Sequence, residues 1–273
     1  MKPASHADTT PARPGFLAGF VASFSRGLRE ALPPKKALIL LAVLALPVVL
    51  TLPVRDSSQS ERGEILLVFV CYLYLNFLVP VTAFLFGSAV LLEEQGAGTL
   101  PYLFTRPAPR ISIILGKYCA GILLGGVLLT ASILAAFRLF GATGFEADLT
   151  RRTLTSILCS FPAYVAAYTL LSIFTRWALL GGLLYSFGLE GAINLIPGMV
   201  KNVTLLYYSR SLVADAEGAS RPLREILNLG RDDVFATVRG SLAVLLFVTA
   251  ISLLLTWWII GRREFVQRNA GRA

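Results

Sequence analysis

Groups that can hold a charge or pass a proton are scarce where this chain is apolar, so the few that occur there come first. Glu190 is the only carboxylate inside one of the long apolar stretches. An ionised carboxylate near the middle of a bilayer costs about 2.5–3.5 kcal/mol on insertion scales, so such a group usually faces a cavity or a partner. Asn194 follows one turn later on the same helical face, with Tyr185 and Ser186 a turn or so before. These residues could line a path for a solute. They could instead tie helices together through hydrogen bonds worth under about 2 kcal/mol each. The place of Glu190, past the middle of its stretch, favours the structural role. Asn76, close to Pro80, repeats the same ambiguity more weakly.

Catalytic constellations are mostly absent. The chain has no GxSxG, no HExxH and no EF-hand loop. Gly116-Lys117 could end a phosphate-binding loop, but Ile111 occupies the position of the required first glycine, and Tyr118 replaces the metal-binding Ser or Thr. Nucleotide phosphates are therefore not held here by that route, and any nucleotide energy must come from another polypeptide. Cys71, Cys119 and Cys159 lack CxxC spacing, and His6 is the sole histidine, which argues against a metal site or a disulfide framework.

The other concentration of polar chemistry is Leu92–Lys117, LEEQGAGTLPYLFTRPAPRISIILGK. Glu93 and Glu94 end one apolar stretch, Gly96 and Gly98 break the chain, and a short amphipathic piece surrounds Leu100, Tyr102, Leu103 and Phe104. Pro107 and Pro109 stop that piece, and Arg110 and Lys117 lead into the next stretch. A tight connection needs only a few turn residues. Apolar side chains kept in a solvated loop make sense if they cover a soluble partner, or if the loop rests on lipid headgroups. Composition allows both.

The elements that must position these residues are set by hydropathy. Of 273 residues, 55% are hydrophobic and 15% charged, with mean hydropathy +0.69. A soluble domain would carry charge on nearer a quarter of its residues. The apolar residues gather into six runs near the length that spans about 30 Å of hydrocarbon: 37–52, 65–92, 119–137, 154–174, 177–200 and 241–260. The expected fold is an all-α integral membrane protein of six transmembrane helices, because lipid leaves helices as the alternative to closed barrels. In front of them, Gly15–Leu32 places Phe16, Phe20, Phe24, Leu28 and Leu32 at i, i+4 spacing opposite Arg26, Arg29 and Glu30. That is the pattern of an amphipathic helix in the membrane interface.

The net charge of +9 flanks the membrane and does not form a nucleic-acid patch. Arg26, Arg29, Lys35 and Lys36 precede the first run, and Arg262, Arg263, Arg268 and Arg272 follow the last. Basic ends with an even crossing count place both termini in the cytoplasm. On that topology 14 Lys/Arg fall inside and 11 outside, so the support is modest. No signal peptide is visible. Residues 1–14 read as a disordered tail, 15–34 as the interfacial helix, 35–262 as the transmembrane domain and 263–273 as a cytoplasmic tail. The connection 93–117 faces the cytoplasm, and 201–239 is external. Within that external segment Ser220, Pro222 and Gly230 punctuate a short helix. Pro197-Gly198 should break the fifth crossing, and Gly121-x-x-x-Gly125 fits a close helix-packing face.

The pattern Glu93-Glu94-x-x-x-Gly98-Thr99-Leu100, then Arg106-Pro107-x-x-Arg110, then Gly116-Lys117, placed after the second of six crossings, resembles the permease subunits of ATP-binding-cassette transporters of the type-2, export-type family. The specific motif covers about 25 residues, the layout most of the chain. The resemblance implies a half-transporter that dimerises with a second permease copy or homologue and binds two separate ATPase subunits. ATP and Mg would sit on those subunits, and this chain would bind no cofactor. It implies that the connection is a coupling helix, with Glu93, Glu94, Gly98, Thr99, Leu100, Tyr102, Leu103, Phe104, Arg106, Arg110 and Lys117 as ATPase-coupling residues. The 15–32 helix would match the connecting helix, and the location would be the inner membrane. Family substrates include drugs, lipids, polysaccharides and maturation factors, and the sequence does not choose among them. An ion-coupled secondary transporter would place several ionisable groups inside its crossings, where this chain has one. A membrane scaffold would leave the elaborated 93–117 connection unexplained.

Overall fold

Long apolar runs with few helix breakers leave the backbone one way to satisfy its own polar groups in lipid, and the chain takes it. A computed structural model describes residues 15–31, 33–51, 65–96, 110–140, 145–174, 182, 184–190, 192–193, 202–214 and 235–262, and among these every regular element is helical. In chain order they are α1 (Phe16–Glu30), α2 (Pro34–Thr51), a π-helical stretch (Phe69–Leu78) running into α3 (Val79–Gly96), α4 (Arg110–Phe140), α5 (Phe145–Phe174), a second π-helical stretch (Leu184–Glu190), α6 (Leu205–Ala214) and α7 (Val238–Arg262).

Four segments are long and apolar enough to cross a bilayer: Ile65–Val90, Ile111–Leu139, Asp148–Phe174 and Val238–Arg262. At 25 to 29 residues, each spans more than about 30 Å of hydrocarbon at about 1.5 Å per residue, so each must tilt or project. They coincide with the expected second, third, fourth and sixth crossings. The expected first crossing is the apolar helix Lys36–Thr51, which is shorter than these four. Most of 177–200, the loops at 53–63 and 97–109, both tails and the expected helix at 220–230 lie outside the described residues.

The π-helical start of the second crossing has a cause in the sequence. Pro80 offers no amide, and its ring would collide with the carbonyl one turn back, at Asn76. The ladder ahead of it widens instead, and the Val79 amide bonds to the Tyr74 carbonyl, five residues back. Thr82 then gives its hydroxyl to the Leu78 carbonyl at 2.6 Å. This stretch forms the centre of the core together with α5: Leu66, Val70, Tyr74, Leu75, Leu78, Phe161 and Tyr164 are all buried.

Polar side chains stitch the bundle at several levels. Ser132 on α4 donates to the Leu44 carbonyl of α2 at 2.7 Å and shares a 3.1 Å hydrogen bond with the Tyr74 hydroxyl. Tyr118 on α4 donates to the Pro162 carbonyl of α5 at 2.9 Å. On α5, Thr153, Ser156, Ser160 and Tyr164 recur at three- and four-residue spacing, all fully buried, so one face of that helix is a polar seam. In contrast, α7 turns much of its apolar surface outward: Leu246, Phe247, Leu254 and Trp258 are exposed, as expected for side chains in contact with lipid.

The small residues act as the sequence suggested, with one refinement. A Cβ on Gly125 would meet the Phe161 ring at 2.3 Å and Phe86 at 2.8 Å, so this glycine receives aromatic rings. Backbone-to-backbone approach occurs at Gly87, where an added Cβ would lie 2.7 Å from the Val165 carbonyl oxygen. There Thr169 also donates to the Gly87 carbonyl at 3.2 Å. Between 201 and 239 the structure adds a helix that the sequence reading did not place. All but two of the residues of α6 are buried.

Candidate functional site

The start of α4 carries the last two residues of the motif, Gly116 and Lys117, and the structure gives each a packing role. α1 lies across this region. A Cβ on Gly116 would sit 2.8 Å from the Phe20 carbonyl oxygen, 2.8 Å from Ser23 Cβ and 2.9 Å from the Phe24 amide nitrogen. Only glycine permits α1 to approach so closely, since two of those atoms are backbone and cannot rotate away. Gly27 answers from the other side, its added Cβ 3.0 Å from Ala120 Cβ and 3.3 Å from Lys117 Cα. Small residues on both helices therefore fix one docked register.

Lys117 is buried beneath α1, and its Nζ lies 3.8 Å from Glu30 Oε2. Glu30 Oε1 also accepts from Arg26 Nε at 2.7 Å. Glu30 is partly exposed, so the pair with Arg26 contributes about 0–1 kcal/mol, as surface pairs do. The pair with Lys117 matters more for position, because a buried ammonium needs an acceptor nearby. A cleft lined by Gly27, Glu30, Ala31, Phe86, Ala89, Val90, Lys117 and Gly121 opens between α1, α3 and α4 at this point.

The remaining residues assigned to coupling fall as follows. Glu93 and Glu94 belong to the last turn of α3, and Arg110 is the first residue of α4; their side chains lie outside the description. Gly98, Thr99, Leu100, Tyr102, Leu103, Phe104 and Arg106 lie outside the described residues altogether. What the structure brings together is the frame of that connection: the end of α3, the start of α4 and α1 docked against it.

Glu190 is buried at the end of the second π-helical stretch. Its Oε2 accepts the Tyr164 hydroxyl at 2.7 Å, and its Oε1 accepts the Leu205 amide at 3.0 Å and the Tyr185 hydroxyl at 3.4 Å. The Leu205 amide opens α6, so the carboxylate caps that helix and meets the positive end of its dipole. Tyr168 closes the ring cluster, edge-on to Tyr185 at 6.0 Å and stacked on Tyr164 at 6.2 Å. This geometry supports the structural reading of Glu190. Asn76 is half-buried in the first π-helical stretch, away from this cluster in the chain, and Asn194 lies outside the described residues.

Two residues escaped the sequence reading. Glu30 appeared there only as part of a polar face, since nothing local shows that Lys117 will come to rest beside it. Arg210 was counted among external loop charges, yet it is buried on α6. The signal available was the apolar flanks of Arg210, Leu205-Leu206 before it and Leu212-Val213 after it.

A family model described as ABC-2 family transporter protein matches residues 38–206. The chain belongs to the ABC-2 transporter family. No curated protein matches it. The matched residues run from α2 to the first residues of α6 and contain the whole 93–117 connection. As an ABC-2 permease it is a multi-pass membrane protein and the membrane component of its transporter, and the family in general works with an ABC ATPase.

Proposed function

We propose that this ABC-2 permease is one half of the membrane channel of an exporter, driven by a separate ATPase through the 93–117 connection. Two permeases would associate with two ATPase subunits, which bind ATP and Mg. Both termini and the connection would lie on the cytoplasmic side of the inner membrane. The observation that carries the reading is the docking of α1 on Gly116 and Lys117, directly after the connection. A push delivered to residues 98–106 would then reach α1 and the cleft beside Lys117 together, through rigid contacts. The outward-facing Leu17 and Val21, both exposed, suit a position for α1 at the lipid interface.

The test lies at the apolar anchors Leu100, Tyr102, Leu103 and Phe104. Buried anchors in helix-in-groove contacts carry about 2 kcal/mol or more each at hot spots, whereas rim charges mainly set rate and specificity. Leu103→Asp should release the ATPase in copurification and abolish substrate-stimulated hydrolysis, while the permease still inserts and dimerises. Arg106→Ala should do less. Full ATPase association by Leu103→Asp would refute the coupling assignment and leave 93–117 as a loop resting on headgroups.

A further inference from the structure

Arg210 is 8% exposed, and its guanidinium carbon lies 5.7 Å from the centroid of the Tyr72 ring in the first π-helical stretch. Its Nε makes no hydrogen bond. The carboxylates whose side chains are described bind other groups: Glu30 with Arg26 and Lys117, Asp148 with Arg151 and Arg152, Glu190 with Tyr164, Tyr185 and the Leu205 amide. A guanidinium stays protonated in a protein. Buried with no counter-charge among the described residues, it is unfavourable. The face of an aromatic ring offsets part of that deficit and leaves the rest for an anion.

Two features of the surroundings say what kind of anion fits. Tyr72 is 45% exposed and Val68, one turn earlier, is 41% exposed, so an apolar surface leads directly to the guanidinium. The site also lies toward the end of the bundle away from Gly96 and Arg110. α6 is held there by the Ser156 hydroxyl on the N-terminal half of α5, which donates to the Ser209 carbonyl at 2.7 Å. The carboxylate cluster engages the N-terminus of α6 at Leu205, five residues before Arg210.

We propose that Arg210 and Tyr72 form a binding site for the anionic head of an amphiphile, a phosphate or carboxylate whose chain lies along Val68 and Tyr72. The head pairs with the guanidinium and completes the hydrogen bonding of its nitrogens. Such an amphiphile could be a resident membrane lipid or the transported molecule. The second possibility alone rests on the permease reading above.

The protein purified in dodecyl maltoside is titrated with dodecyl phosphate and, for comparison, dodecyltrimethylammonium, with binding read by calorimetry and thermal shift. Dodecyl phosphate should bind and raise the melting temperature, and the cationic amphiphile should not. Arg210→Gln should weaken dodecyl phosphate binding at least tenfold, Arg210→Lys less, and Tyr72→Leu, at a half-exposed position, about threefold or more. Binding to Arg210→Gln and Tyr72→Leu with wild-type affinity would overturn the site. So would a wild type that ignores the probe while Arg210→Gln alone loses stability, since the arginine would then be paired with a carboxylate such as Asp215 or Asp232. In phosphatidylcholine nanodiscs with the ATPase bound, stimulation by dodecyl phosphate that is lost in Arg210→Gln assigns the ligand as cargo. Binding without stimulation assigns a resident lipid. The calorimetric arm needs no ATPase, so failure of the coupling reading leaves it standing.

Discussion

Replacing Gly116 with alanine adds one methyl group at the point where α1 meets α4. In the docked arrangement that methyl would sit 2.8 Å from the Phe20 carbonyl oxygen and 2.9 Å from the Phe24 amide nitrogen, where ordinary contact begins at 3.4 Å. α1 must therefore withdraw by about 0.6 Å at this position. The 3.8 Å separation of Lys117 Nζ and Glu30 Oε2 would then stretch past the range of an ion pair, and the small-residue contact at Gly27 would open. Overpacking of this kind destabilises by about 1–3 kcal/mol. Expressed as the population of undocked α1, that is a rise of roughly 5- to 150-fold. Trypsin cleavage after Arg26 or Arg29 in detergent, identified by mass spectrometry, follows that open population when opening is fast relative to cutting. Gly116→Ala should speed this cleavage within the stated range. Gly126→Ala is the control, because a Cβ there meets nothing within 4 Å, and it should leave the rate unchanged. Equal cleavage rates in the two variants would refute the claim that Gly116 sets the docking of α1.

Glu190→Gln keeps an acceptor but gives up the charge that caps α6 and adds an amide group among donors. It should lower stability by about 1–3 kcal/mol, seen as a lower melting temperature in detergent, with coupled ATPase activity retained in the folded fraction. Unchanged stability with lost transport would instead make Glu190 part of the substrate path. Single-cysteine labelling in intact cells checks the orientation: an impermeant maleimide should modify position 215 and spare position 105, and the reverse pattern would overturn the assignment of inside and outside.

Several properties of this protein were legible without coordinates, because they depend on residues adjacent in sequence. Helical class and membrane residence follow from the length of apolar runs such as 65–92 and 241–260, since lipid offers backbone groups no other partner. The amphipathic period of 15–32 foretold α1, whereas the π-helical winding ahead of Pro80 was not read from the sequence. The family motif at 93–117 could be quoted residue by residue, and the ABC-2 match covers it. What the sequence left open were contacts between residues far apart in the chain. Gly116 and Lys117 could be matched to a motif, but their reason, a close α1 backbone and a buried ammonium beside Glu30, exists only when α1 and α4 pack. Glu190 meets Tyr164, Tyr185 and the Leu205 amide only in the folded chain, contacts that its sequence neighbours do not reveal. Arg210 looked like a solvated loop charge, because hydropathy assigns a short segment with one arginine to water. Tertiary packing buried it instead, since the flanking Leu205, Leu206, Leu212 and Val213 gain more by joining the core than the segment gains by staying in water.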